Sequence, residues 1–219
     1  MPDDPATTPA PAATPYLDPY RHASTRHGTS LGVTLWAGRE SQVKRFRVFT
    51  ELYDFTNKRL LDAGCSRGDL AEYLTHQSIA YAHYTGVDGL PSVIEFAQQR
   101  NLPRTTFLAG DLVADPTLLA TNHPQAVTIS GTLNTMDRDT AFAVLDHAWH
   151  ATEDALLFNF LSAATTRTPL PGEDPATAHR IPPTDALAWA LDRTPHAVLR
   201  HDYFSQGHDA TLLMRKPAP

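Results

Sequence analysis

The stretch Leu60-Leu61-Asp62-Ala63-Gly64-Cys65-Ser66-Arg67-Gly68-Asp69-Leu70 passes from apolar residues through an acid and a small-residue loop to a second acid and a leucine. It predicts a buried strand turning sharply into a helix. Gly64 and Gly68 tolerate positive φ and close backbone approach, and the free N–H groups at the helix start supply donors at the strand's carboxyl end. Such a corner is suited to holding a small molecule.

The spacing narrows the choice of ligand. A dinucleotide loop needs G-x-G-x-x-G and a phosphate loop needs G-x-x-x-x-G-K-[ST]. Here the glycines stand four apart, no lysine follows, and Asp62 and Asp69 bracket the loop, where they would repel a pyrophosphate. A ligand carrying positive charge fits better. S-adenosylmethionine, with its ammonium and sulfonium and no phosphate, meets that requirement. Gly64-Cys65-Ser66-Arg67-Gly68 also matches G-x-S-x-G, the nucleophile elbow of α/β-hydrolases. An esterase using Ser66 is therefore an alternative, although such elbows follow several earlier strands and no good strand pattern precedes Lys58.

Composition sets bounds. At 219 residues the chain predicts one domain with a substantial core. Eighteen basic against 24 acidic residues, net −6, argue against general nucleic-acid or anionic-membrane binding. One cysteine permits no internal disulfide and suits a reducing compartment. No apolar run approaches the roughly 20 residues of a membrane helix, and Met1-Pro2-Asp3-Asp4-Pro5 has neither a basic nor an apolar signal region. A cytoplasmic location is the expectation. The histidines are scattered, so no metal site is expected.

Along the chain, residues 1–19 are rich in Pro, Ala and Thr and predict a disordered tail. Residues 20–219 read as one domain, in which 20–54 make an N-terminal lid and helix. Tyr20 to Arg39 shows no clear periodicity, whereas Val43, Phe46 and Tyr53 mark an amphipathic helix over Glu40–Tyr53. Strands follow at Arg59–Ala63, Tyr84–Val87, Thr105–Ala109, Gln125–Ser130 and Ala155–Leu161, alternating with helices at Arg67–Gln77, from Pro91 and at Arg138–His150. Pro91 suits the first position of a helix, where a missing N–H costs nothing. After a long loop from Ser162 to Pro183, expected to be a functional cover or disordered, a short helix precedes two alternating runs, Ala197–Phe204 and His208–Arg215, that predict an antiparallel hairpin.

Alternating strands and helices imply a mainly parallel sheet with helices on both faces and ligands at the strands' carboxyl ends. Asp62, Asp88, Asp111 and the Ser130–Asn134 loop all fall at those ends. Asp88 lies twenty residues beyond Gly68, where an acid on the adjacent strand can accept from both ribose hydroxyls. Asp111 could accept from an exocyclic amine, with Leu112 packed on the adenine face.

Leu61 to Gly68 resembles motif I of class I S-adenosylmethionine-dependent methyltransferases, with Ser66 where a glycine is more common. Gly86-Val87-Asp88 resembles their second motif, Gly110-Asp111-Leu112 their adenine segment, and the terminal hairpin their reversed last strands. The resemblance covers roughly residues 40–216, extends to a bacterial subgroup of unknown substrate, and implies a Rossmann-like α/β fold with seven strands in the order 3-2-1-4-5-7-6. It implies S-adenosylmethionine as cofactor, S-adenosylhomocysteine as product and a small-molecule acceptor. Asp62, Gly64, Cys65, Ser66, Gly68, Asp88, Gly89, Leu90, Asp111, Leu112, Ser130 and Gly131 are the expected cofactor-binding residues, and Gln42 and Arg45 are expected to reach the methionine carboxylate. Thr132, Asn134 and Asn159 are the polar groups expected nearest the acceptor. A protein that keeps the pocket but has lost transfer is a third reading.

Overall fold

The computed structural model describes residues 14–166 and 178–217. Five parallel strands form most of one sheet: β1 (Arg59–Ala63), β2 (His83–Asp88), β3 (Thr105–Ala109), β4 (Ala126–Ser130) and β5 (Ala155–Leu161). Two more, β6 (Ala197–Arg200) and β7 (Asp209–Arg215), pair antiparallel, with β7 inserted between β5 and β6 to give the order 3-2-1-4-5-7-6. This is the strand order that the resemblance implies.

Alternate side chains explain why the central strands are apolar throughout. Leu61 and Ala63 of β1, and Leu156, Phe158 and Phe160 of β5, enter the core on one face of the sheet. Leu60, Ala155 and Leu157 enter the core on the other. Helices cover both faces: α2 (Arg39–Leu52) and α3 (Asp69–His76) supply Phe46, Phe49, Leu70 and Leu74 to one core. On the other face α5 (Arg138–Ala151) and α6 (Pro183–Leu191) supply Val144, Leu145, Ala186 and Ala190, while α4 (Pro91–Gln99) sends Val93 to one core and Ile94 to the other. Each large side chain so buried contributes about 1.5–3 kcal/mol. No helix among the described residues is long and apolar enough to cross a membrane.

Several expectations need correction. Residues 14–19, expected within a disordered tail, form a 3-10 turn at Pro15–Leu17 and enter helix α1 (Asp18–His27), with Tyr16 and Leu17 buried. The expected irregular lid is thus partly helical, followed by a second 3-10 turn at Leu31–Thr34. The periodicity is missing because Ala23 is the only buried residue of α1. The hairpin is also shorter than its alternating pattern: β6 stops at Arg200 and β7 starts at Asp209. Residues 201–208 instead fold Tyr203 onto Asp209 and Thr211, at 3.2 and 2.9 Å. Of the long loop, Ser162 bridges to Ile181, and the remainder at 167–177 lies outside the described residues, as do residues 1–13 of the tail.

Asp209 and Arg45 form a buried ion pair at the sheet's functional edge. Arg45 Nε donates to the Asp209 carboxylate at 3.1 Å and Nη1 to the Ser41 carbonyl at 2.8 Å. Its guanidinium lies 4.1 Å from the Trp36 ring and 4.8 Å from the Phe204 ring. Breaking such a pair strands a buried charge and costs about 3–5 kcal/mol. Asp209→Ala is therefore expected to lose that much stability in urea unfolding, and Arg45→Met combined with Asp209→Leu to recover most of it. A single variant as stable as the parent would contradict this account of the joint.

Candidate functional site

Between β1 and α3 the chain reverses within five residues, Gly64, Ser66 and Gly68 all taking positive φ (80°, 46° and 72°). The left-handed φ at Ser66 accounts for a glycine being common at that position, and a serine adopts it at modest cost. Gly64 is more restricted. A Cβ there would lie 1.9 Å from Thr132 Oγ1.

The reversal aims backbone N–H groups at β2. Gly64 and Cys65 both donate to the Val87 carbonyl, at 2.8 and 3.0 Å. Ser66 N donates to Asp88 Oδ2 and Leu90 N to Oδ1, each at 2.9 Å. Asp88 is thereby fixed at the strand end, with lone pairs left for further donors. Its burial outweighs those two bonds and pushes its pKa up to about 6. Asp62 is likewise raised to about 6 by burial, although Tyr84 and Thr128 hydroxyls donate to it.

These groups line one cavity at the carboxyl edge of the sheet. Its floor is Asp62, Gly64, Cys65, Ser66, Asp69 and Leu70, one side is Asp88, Gly89, Leu90, Val93 and Leu112, and the other is Ser130, Gly131 and Thr132. Tyr16, Leu17, Tyr20, Val33, Thr34 and Trp36 cover it from the N-terminal segment, with Gln42 and Phe46 of α2 beside the loop. No Lys, Arg or His is among these described lining residues. The nearby arginines lie behind the loop: Arg100, Arg67 and Arg39 stand 2.8, 3.6 and 3.8 Å from Asp69 and neutralise it, and Arg39 also contacts Glu72 at 2.6 Å. No three His, Cys, Asp or Glu side chains gather as a metal site among the described residues.

Some expected roles change. Arg45 does not line the cavity, because its guanidinium is committed to Asp209. Gln42 does line it, but its Nε2 donates to Asp69 Oδ2 at 3.1 Å and its buried Oε1 has no partner. Asp69, paired with Arg100 at 2.8 Å, takes the amide N–H, so Gln42 offers an acceptor, which suits an ammonium and not a carboxylate. Asp111 is absent from the lining and accepts from Tyr16 and Thr14 instead. Gly68 packs against Phe107 behind the loop. Asn159 is fully buried and shapes the β4 turn, its Oδ1 accepting from Gly131 N at 2.9 Å and its Nδ2 donating to Ser130 Oγ at 3.0 Å. Asn134 accepts from Leu161 N at 3.1 Å, and only Thr132 of the three proposed acceptor-side groups lines the cavity, its hydroxyl donating to the Ala63 carbonyl. Sequence reasoning missed Tyr16, Leu17, Val33 and Thr34, for which the sole signal was the first apolar pair after a polar tail. The esterase alternative finds no support in the cavity: among the described residues no histidine is in the lining that Ser66 joins.

Comparison with known proteins agrees with this geometry. Residues 60–154 match the family model described as a methyltransferase domain. A 59-residue stretch is 42% identical to a probable phthiotriol/phenolphthiotriol dimycocerosates methyltransferase 2 of Mycobacterium ulcerans, covering 26% of this chain and 22% of that relative. The chain thus matches about a fifth of that protein's length. Among solved structures, the magnesium protoporphyrin IX methyltransferase of Synechocystis with bound S-adenosylhomocysteine superposes with a TM-score of 0.62 at 15% identity, over 92% of this chain and 94% of that one. Human N-acetylserotonin methyltransferase in complex with S-adenosylmethionine gives 0.67 at 18% identity, over 95% of this chain and 61% of that one. Residues 60–154 are thus similar to a methyltransferase domain, and the chain has the fold of these solved S-adenosylmethionine-dependent methyltransferases.

The tight corner yields a test. Gly64→Ala places a methyl group into Thr132 at a positive φ, and overpacking with backbone strain should destabilise the protein by about 1–3 kcal/mol. A urea midpoint equal to that of the parent would contradict the corner as described.

Proposed function

We propose that this protein is an S-adenosylmethionine-dependent methyltransferase that acts on a small-molecule acceptor and releases S-adenosylhomocysteine. One observation carries the reading: a single cavity at the carboxyl edge is lined by Asp62 and Asp88, neither paired with a cation, and, among the described residues, by no cation. Such a cavity disfavours phosphate and suits a ligand that brings positive charge and hydroxyl donors.

Each part of that ligand has a match in the chain. Asp88 holds the ribose hydroxyls, while Leu90, Val93 and Leu112 make an apolar slot for the base. The orphaned Oε1 of Gln42, with Asp62 nearby in the lining, accepts from the ammonium. The bound cofactor supplies a methyl group on a sulfonium, activated for in-line displacement. The protein's own residues position the reactants and exclude water. With Asp62 and Asp88 engaged in hydrogen bonds and no imidazole in the described lining, they align the acceptor more than they deprotonate it. The acceptor meets Tyr20, Trp36 and Thr132, a surface that favours an uncharged or cationic molecule over an anion.

Mutation, titration and turnover each test the reading. Asp88→Ala should weaken S-adenosylhomocysteine binding in calorimetry by roughly 1.5–3 kcal/mol for each charge-assisted hydrogen bond lost, and equal affinity would remove Asp88 from the site. The pH dependence has a definite sign. Asp62 and Asp88 titrate at about 6 without ligand, above the ordinary carboxylate value, so protonation relieves their burial at low pH and ionisation costs stability as pH rises through 6. A ligand carrying an ammonium and hydroxyl donors favours the ionised forms and releases protons on binding. Affinity should therefore rise between pH 5 and pH 7 and then level off, by at most about tenfold per pH unit for each group, and calorimetry at pH 6 in two buffers of different ionisation enthalpy should show the proton release. A flat profile without proton release would contradict the assignment. Formation of S-adenosylhomocysteine in an acceptor screen separates an enzyme from a protein that only binds.

A further inference from the structure

The N-terminal segment, residues 14–36, crosses the mouth of the cavity and is held at its two ends by different physics. At its C-terminal end Trp36 packs against Gly131, where a Cβ would lie 2.5 Å from the ring, and stacks on the Arg45 guanidinium of the buried ion pair. At its N-terminal end the hold is a set of half-buried hydrogen bonds: the Tyr16 hydroxyl donates to Asp111 Oδ1 at 3.0 Å and the Thr14 hydroxyl to Oδ2. Between the ends Leu17 rests on Gly89, Tyr20 donates to the Gly131 carbonyl at 3.2 Å, and Ser24 and Ser92 hydroxyls lie 3.4 Å apart. The segment also coheres internally, since α1 packs on the two flanking 3-10 turns and the His27 ring covers Gly32.

Asp111 is the point at which this segment meets the ligand reading. Its Oδ1 already accepts from the Val113 and Ala114 N–H groups, at 2.9 and 3.3 Å, in addition to Tyr16. The Thr14 hydroxyl takes Oδ2, so both oxygens are engaged. Leu112 lines the cavity and Asp111 does not. Resting on the cofactor reading above, we propose that residues 14–36 are a lid hinged near Trp36–Gly38, and that its latch on Asp111 competes with the adenine amine of the cofactor for the same carboxylate. In this proposal the N-terminal anchor, whose hydrogen bonds to Asp111 are part-buried, is the end that opens, and the Trp36 end is the hinge. The affinity seen in solution is then the intrinsic affinity reduced by the fraction of molecules with the lid open.

Two variants test this with S-adenosylhomocysteine as the probe. Thr14→Val with Tyr16→Phe removes the latch while keeping the side-chain shapes. Stopped-flow association should accelerate at least tenfold and calorimetric affinity should rise. Unchanged or slower association, or weaker binding, would overturn the latch and make these residues plain supports of the pocket. Ser24→Cys with Ser92→Cys ties the lid to α4 through a disulfide. Uptake of the probe added after oxidation should be lost and should return on reduction, whereas equal uptake by the oxidised and reduced protein would overturn the lid. A failure of the parent and all variants to bind the probe in any state would overturn the cofactor reading itself, which separates that outcome from failure of the latch alone.

Discussion

Two backbone amides that reach from one strand end to the next set the geometry of the functional edge. Gly64 and Cys65 share the Val87 carbonyl, and Ser66 then meets the Asp88 side chain. A chain can present three successive N–H groups in this way only if it turns through left-handed backbone, which Gly64 and Ser66 provide. The same turn brings Asp62 and Asp88 into one cavity, where burial holds both carboxyls near pKa 6. The site is thus tuned near neutrality by its own fold. Small changes in what lies inside the cavity will move its charge.

The distribution of cations reinforces that tuning. Arg39 and Arg100 are spent on Glu72 and Asp69 behind the loop, and Arg45 on Asp209. Each is close to the cavity in sequence or in space, yet none is in its lining. Among the described residues the negative charge of Asp62 and Asp88 therefore has no cation to compensate it and is open to compensation by a ligand. Arg45 has an additional part: through Trp36 it ties the covering segment to the sheet edge, so one buried ion pair supports both the core and the wall of the site.

The sheet was legible in the sequence because its signals are local and redundant. Continuous apolar runs, glycine corners and Pro91 at a helix start located β1, β3, β5 and α4 to within a residue or two, and the strand order followed from the resemblance. The acids at the strand ends were legible for the same reason, since a parallel sheet places every such end on one edge. What the sequence hid were partnerships. Arg45 next to a candidate ligand reads as a carboxylate binder until Asp209, 164 residues away, is found to own it. Asn159 reads as a polar group near the chemistry, but a fully buried amide in a central strand must satisfy itself, and it does so on Gly131 and Ser130. The ordered cover at residues 14–36 was invisible to periodicity because it buries tyrosines and a leucine against a rim, not a stripe against a core.

The claim on which these arguments converge is that one adenosyl ligand spans the cavity from Gln42 to Leu112. A crystal structure of the protein grown with S-adenosylhomocysteine addresses it most directly. The account predicts the ribose hydroxyls within hydrogen-bond distance of Asp88, the amino group facing Gln42 Oε1 and Asp62, and the base between Leu90 and Leu112. Density for the nucleoside on any other surface of the molecule, or an empty cavity at saturating ligand, would contradict it.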